Sequence, residues 1–179
     1  MPKKSKSNTK IPAKDNCQTP PYALDPLMPY LPKDDSIIWE SACGEGLLVD
    51  SLLRDWGYKV VWSDINRDIG EDFFIWNPKK WDIQITNPPF SLKYKWLARS
   101  YELGKPFALL MPVDVIAASS AQKLFKKYGI EILLLNKRVD FKMPNKGWEG
   151  NGAQFSVAWF CWRLNIGREL TYMCEIDKT

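Results

Sequence analysis

Residues 37–64 read IIWESACGEGLLVDSLLRDWGYKVVWSD. The compact apolar run Ile37-Ile38-Trp39, ending in Glu40, has the pattern of a buried strand. Leu47, Leu48, Leu52 and Leu53 then fall at helical spacing, which predicts a helix over 45–56. Val60-Val61-Trp62 is a second buried strand, ending at Asp64. Between first strand and helix lie Ser41, Ala42, Cys43, Gly44, Glu45 and Gly46. Small residues there let a ligand approach the backbone at a helix N-terminus. This turn is not the G-x-G-x-x-G dinucleotide fingerprint, and a lone G-x-G opens many helices.

Downstream the alternation continues. WDIQIT (81–86) is a third strand running into Asn87-Pro88-Pro89-Phe90, where two prolines end the strand and stiffen the turn. A helix is predicted over 92–103, a strand over 106–111, a helix around 115–127 and a strand over 130–135. Residues 136–152 are basic, close with GWEGNG, and read as a long loop. QFSVAWFCW (154–162) is strongly β, and 169–176 is a possible edge strand. Upstream, TPPYALDPLMPYL (19–31) reads as helical segments broken by prolines. The fold class expected is a doubly wound, mostly parallel α/β sheet in a single domain.

Composition narrows the chemistry. There is no histidine, which excludes Ser–His and Cys–His nucleophiles and any imidazole-bound metal; no metal is expected. No apolar run suits a membrane span or a signal peptide. Cys17, Cys43, Cys161 and Cys174 form no C-x-x-C pair, so a reduced cytoplasmic protein is expected. The net charge of +4 resides in residues 1–14, where Lys3, Lys4, Lys6, Lys10 and Lys14 face no acid; without them the count is 20 basic against 21 acidic. Residues 1–16 read as a flexible basic arm, suited either to phosphates or simply to solubility.

Three features carry chemistry. Glu40 ends the first strand, where a carboxylate faces the ligand crevice and suits an amine. Asp64 ends the second, about 20 residues past the glycine turn, where an acid accepts from two ribose hydroxyls. A turn-capping Asp is the bland alternative, which the glycine turn disfavours. Asn87-Pro88-Pro89-Phe90 sits at the third strand's carboxyl end, the ligand-binding edge of such sheets. The Asn87 carboxamide oxygen and the Pro88 carbonyl can each accept one hydrogen from a planar –NH2 group, and Phe90 can stack on its ring.

Over residues 17–112 the chain resembles the amino-methyltransferases that methylate adenine N6 and carry their cofactor motifs before the catalytic one. Gln18-Thr19-Pro20-Pro21 is similar to the segment whose threonine contacts the methionine carboxylate. Glu40-Ser41-Ala42 resembles E-P-A, with Ser41 in place of proline, and implies that Glu40 and Ala42 lie against the methionyl part of S-adenosylmethionine. Gly44 and Gly46 belong to the same turn. Asp64 matches the ribose-binding acid. In Asp72-Phe73-Phe74-Ile75-Trp76-Asn77-Pro78 the resemblance implies that Asp72 accepts from the cofactor's adenine and Phe73 packs on its ring. Asn87, Pro88, Pro89 and Phe90 resemble the family's catalytic tetrapeptide. The fold implied is the Rossmann-like methyltransferase type, with residues 17–179 as catalytic domain and no separate target-recognition domain.

The activity implied is direct in-line transfer of a methyl group to a flipped or single-stranded adenine, by positioning and dipoles rather than a strong base. Substrate contacts are expected from Phe90, Lys93, Phe141, Lys142 and Trp148, with 136–152 a substrate-side loop reading a short sequence; Trp148 is equally a packing residue. Lys95 and Arg99, and Lys137, Arg138 and Lys146, add charge near the same places, whereas Lys123, Lys126 and Lys127 read as a solvated helix face. The partner expected is nucleic acid, DNA ahead of RNA. RNA adenine methylation, protein glutamine methylation and a silent nucleic-acid-binding module are the alternatives. Cytosine-N4 enzymes usually carry serine first and tyrosine fourth in this motif, and the absence of Pro-Cys excludes cytosine-C5 chemistry.

Overall fold

Residue alternation builds the sheet. The computed structural model describes residues 9–66, 71–143, 147–148, 155–167 and 172–174. Strands β1 (Ile37–Glu40), β2 (Lys59–Trp62), β3 (Ile83–Thr86), β4 (Phe107–Pro112) and β5 (Glu131–Leu135) follow the predicted apolar runs. However, β2 is not the buried strand expected: it lies at the sheet edge, with Val60 and Val61 half-buried and Trp62 exposed. Helices α1 (Leu47–Arg54), α2 (Lys93–Leu103) and α3 (Ser119–Tyr128) lie between them. A two-residue pair, β6 (Lys142–Met143) and β7 (Gly147–Trp148), precedes β8 (Val157–Trp162) and β9 (Tyr172–Cys174). The main sheet has the order β2-β1-β3-β4-β8-β5-β9, with β8 antiparallel to both neighbours and the other pairings parallel. The doubly wound, mostly parallel α/β architecture is therefore the fold of this chain.

Both faces are covered. Along β4, Ala108 and Leu110 join one core with Leu48, Leu52, Ile85 and Trp159, while Phe107, Leu109 and Met111 join the other with Trp39, Trp96, Leu97 and Phe160. The two-residue period of a strand sends successive side chains to opposite cores. All six β4 residues are buried, and a fully buried large apolar side chain is worth about 1.5–3 kcal/mol. The indole N–H of Trp159 donates to the Ala23 carbonyl at 2.8 Å, so the short 3-10 turns Pro21–Ala23 and Asp25–Tyr30 are tied to the sheet.

Two expectations are corrected. The flexible arm does not extend to residue 16: residues 9–16 contact the body, with a 3-10 turn at Ala13–Asp15. The Thr9 hydroxyl donates to Asp72, and the Ser91 amide donates to Asp15, so hydrogen bonds outweigh the loose appearance of a lysine-rich stretch. Within 136–152, Val139 and Phe141 are buried and β6–β7 pair; strands of two residues are too short to register as alternation. Cys17, Cys43 and Cys161 are free thiols. No helix among the described residues is long and apolar enough to cross a membrane.

Candidate active site

The carboxyl ends of β1, β2 and β3 lie side by side, because β1 pairs in parallel with both neighbours. Two main-chain bonds lock the first two tips together: Ser63 N to the Glu40 carbonyl at 3.0 Å, and Cys43 N to the Ser63 carbonyl at 3.1 Å. The Trp39 indole fixes the Ser63 hydroxyl from below at 2.9 Å. A cleft of about 530 Å³, its open mouth included, runs along this edge, lined by Ala42, Gly44, Asp64, Asp72, Asn87 and Trp96 among others. A smaller recess of about 240 Å³ takes in Thr19, Glu40, Ala42 and Leu47, and shares Asn87 with the cleft.

The glycine turn is shaped by contact. Gly44 has φ +50°, and a Cβ there would stand 2.5 Å from the Gln18 carboxamide. That carboxamide accepts the Glu45 amide at 2.7 Å. Gly46, at φ 96°, opens α1. The Asp64 carboxylate accepts Gly44 N at 2.9 Å on one oxygen and Asn66 N at 2.8 Å on the other. Each oxygen keeps lone-pair capacity for a further donor. Glu40, 2% exposed, accepts the Ala42 amide at 3.1 Å. Ser41, which departs from the proline of the resembled motif, accepts from the Gln84 side chain at 2.8 Å inside the sheet. A hydrogen bond thus fixes this position instead of a ring.

At the third tip, Pro88 and Pro89 are buried and Phe90 is half-buried, opening the 3-10 turn Phe90–Leu92 that leads into α2. The Asn87 Oδ1 atom is buried and has no hydrogen-bond partner. An unsatisfied buried acceptor costs about 1–3 kcal/mol, and because Asn87 lines both the cleft and the recess, a donor bound there would relieve that cost. The Phe90 ring meets Phe141 edge-on at 6.0 Å and Phe155 at 5.4 Å. Phe141 is buried, whereas Phe155 is 42% exposed. Phe155 was missed in the sequence because it merges with the β pattern of 154–162; its signal is an aromatic placed before the first buried residue of β8.

Several expected contacts fall elsewhere. Phe73 lines the cleft, yet its ring is 2% exposed and stacks on Trp96 at 4.1 Å, with Trp39 and Phe74 around it, so three aromatics hold most of its surface. The Lys142 ammonium pairs with Glu45 at 2.6 Å, and its main chain bonds Gln18 in both directions. Opposite charge on the glycine turn claims that cation. Lys93 is half-buried with its ammonium 4.9 Å from the Tyr94 ring centroid. Lys95, Lys137 and Arg138 are exposed, and Arg99 lies 3.7 Å from Glu102. The Trp148 side chain and Lys146 lie outside the described residues. Asp72 is 3% exposed and accepts from Phe74 N at 2.9 Å and the Thr9 hydroxyl at 2.7 Å. Among the described residues no cluster of three His, Cys, Asp or Glu could hold a metal.

No protein-family model and no curated protein matches the chain. Solved structures do. A dimethyladenosine transferase from Plasmodium falciparum superposes with TM-score 0.51 and 13% identity, over 80% of this chain and 62% of that one. The methyltransferase subunit of a type I restriction-modification system from Streptococcus thermophilus gives 0.51 and 13%, over 79% of this chain and 42% of that one. A protein described as a predicted O-methyltransferase from Agrobacterium tumefaciens aligns at 0.48 and 13%, over 84% and 83%. The chain spans less than two thirds of the first two proteins. At this identity the likeness defines the fold: the chain has the Rossmann-like α/β fold of those methyltransferases.

Proposed function

We propose that this chain is an S-adenosylmethionine-dependent methyltransferase acting on the N6 amine of adenine in nucleic acid, with DNA preferred to RNA. The observation that carries the reading is Asn87 Oδ1, a buried acceptor without a partner at the tip of β3 beside the cleft. The donor set beside it suits the cofactor. Thr19, Glu40 and Ala42 line the recess for its methionyl part, Gly44 and Gly46 shape the turn, Asp64 offers two carboxylate oxygens to the ribose, and Asp72 offers a carboxylate to the adenine. The cofactor supplies an electrophilic methyl group. Asn87 Oδ1 and the Pro88 carbonyl accept the two amine hydrogens and draw the nitrogen toward tetrahedral geometry, aiming its lone pair along the cleft. Phe90 stacks on the base, backed by Phe141 and flanked by Phe155. A base reaches this position only when flipped or single-stranded.

The test is to incubate the protein and labelled cofactor with matched single-stranded DNA, duplex DNA and structured RNA, then digest and identify the modified nucleoside. N6-methyladenine in DNA is expected as the main product. Asn87→Ala is expected to abolish transfer and leave cofactor binding unchanged. Near-wild-type turnover by that variant, or label on another base or on protein alone, overturns the assignment.

A further inference from the structure

Residues 9–18 run across the candidate cofactor cleft, and Thr9, Ile11, Asp15, Asn16, Cys17 and Gln18 all line it. The two ends of this strap are held differently. At Gln18, the main chain exchanges two hydrogen bonds with Lys142, both at 2.9 Å, while the side chain receives the Glu45 amide. The bond between Ser91 N and Asp15 fixes its middle beside the catalytic turn. At the far end, the Thr9 hydroxyl donates to Asp72 Oδ2 at 2.7 Å, and the other Asp72 oxygen takes the Phe74 amide. With Thr9 in place, Asp72 is 3% exposed.

The geometry points to a latch: Thr9 occupies the carboxylate that the cofactor's adenine needs, and cofactor binding replaces the hydroxyl with the adenine amine and loosens the strap at its Thr9 end. The inference rests on the adenine-binding reading of Asp72 given above. A carboxylate oxygen has lone pairs for two donors, but with Asp72 only 3% exposed the Thr9 side chain fills the approach to it, so the hydroxyl and an amine compete for the same place. Because only the unlatched fraction can take the cofactor, the latch lowers apparent affinity by that fraction. The spent cofactor carries the same adenine, so relatching of Thr9 also helps expel it.

Thr9→Val keeps the shape of the side chain and removes the donor. Binding of S-adenosylhomocysteine, followed by calorimetry on the full chain without substrate, is expected to tighten about tenfold. Limited trypsin cleavage at Lys10 and Lys14 is expected to be faster in Thr9→Val than in wild type, and faster in wild type once S-adenosylhomocysteine is saturating. A thermal melt controls for folding. Unchanged or weaker binding in Thr9→Val overturns the latch, as does protection of Lys10 and Lys14 by the ligand. If neither protein binds S-adenosylhomocysteine, the cofactor reading fails by itself. The trypsin comparison between the two unliganded proteins then still judges the Thr9–Asp72 hold, and equal cleavage sinks it.

Discussion

The carboxylates of the cleft and its one catalytic-turn carboxamide, Asn87, are furnished in opposite ways, and on the proposed reading they serve cofactor and substrate respectively. Asp64 and Asp72 each accept hydrogens from the protein on both carboxylate oxygens. Asn87 Oδ1, at the tip of β3, accepts none. A carboxylate has lone pairs enough to be oriented by the backbone and still bind a ligand. If Asn87 grips a reacting amine as proposed, its single oxygen is better left uncommitted, because each competing donor weakens its pull. On that reading the contrast separates residues that hold from one that acts.

The sharpest break in that contrast is Asn87→Ala. Loss of a preorganised polar group at a reacting atom typically removes about 10²–10³ from kcat, and S-adenosylhomocysteine affinity is expected to stay within about twofold, as steady-state rates and calorimetry will show. Asp64→Ala reverses the pattern. Cofactor affinity is expected to fall on the order of 10- to 100-fold, the worth of hydrogen bonds to a charged group, with kcat at saturating cofactor much less affected. Gly44→Ala attacks the scaffold beneath both. Its positive φ and the crowded Gln18 carboxamide are expected to cost about 1–3 kcal/mol in urea unfolding. Phe155→Ala touches only the substrate side. A lost stacking partner is expected to raise KM for a nucleic-acid substrate about fivefold and leave cofactor binding unchanged; a matching loss of cofactor affinity would place Phe155 on the wrong side of the comparison.

What was legible in the sequence was local. The apolar runs of β1 to β5, the glycine turn, Asp64 and the Asn87 tetrapeptide lie within short stretches whose residue types restrict the backbone, as two prolines do after Asn87. What escaped depended on distant partners. Of the adjacent Phe73 and Phe74, the one that enters the core is decided by Trp39 and Trp96, on other elements. Lys142 meets Glu45 across 97 residues, and Thr9 meets Asp72 across 63, so neither pairing leaves a trace in local pattern. The lysines around Thr9 made the strap look like a tail, since charge density outweighs a single hydroxyl in any compositional reading.

The reversed strand β8 has an architectural consequence. Its first residue, Val157, stands opposite Pro112 at the carboxyl end of β4, and Ser156 receives the Val113 amide there at 3.0 Å. A strand that enters the sheet against the grain starts where its parallel neighbours finish. Phe155 and Ser156, just before it, therefore lie at the same edge of the sheet as the carboxyl end of β4. On the proposed reading, exchanging Phe155 and Ser156 retunes what this edge recognises while the tips of β1, β2 and β3 keep their register, so target choice and methyl-donor binding can change separately.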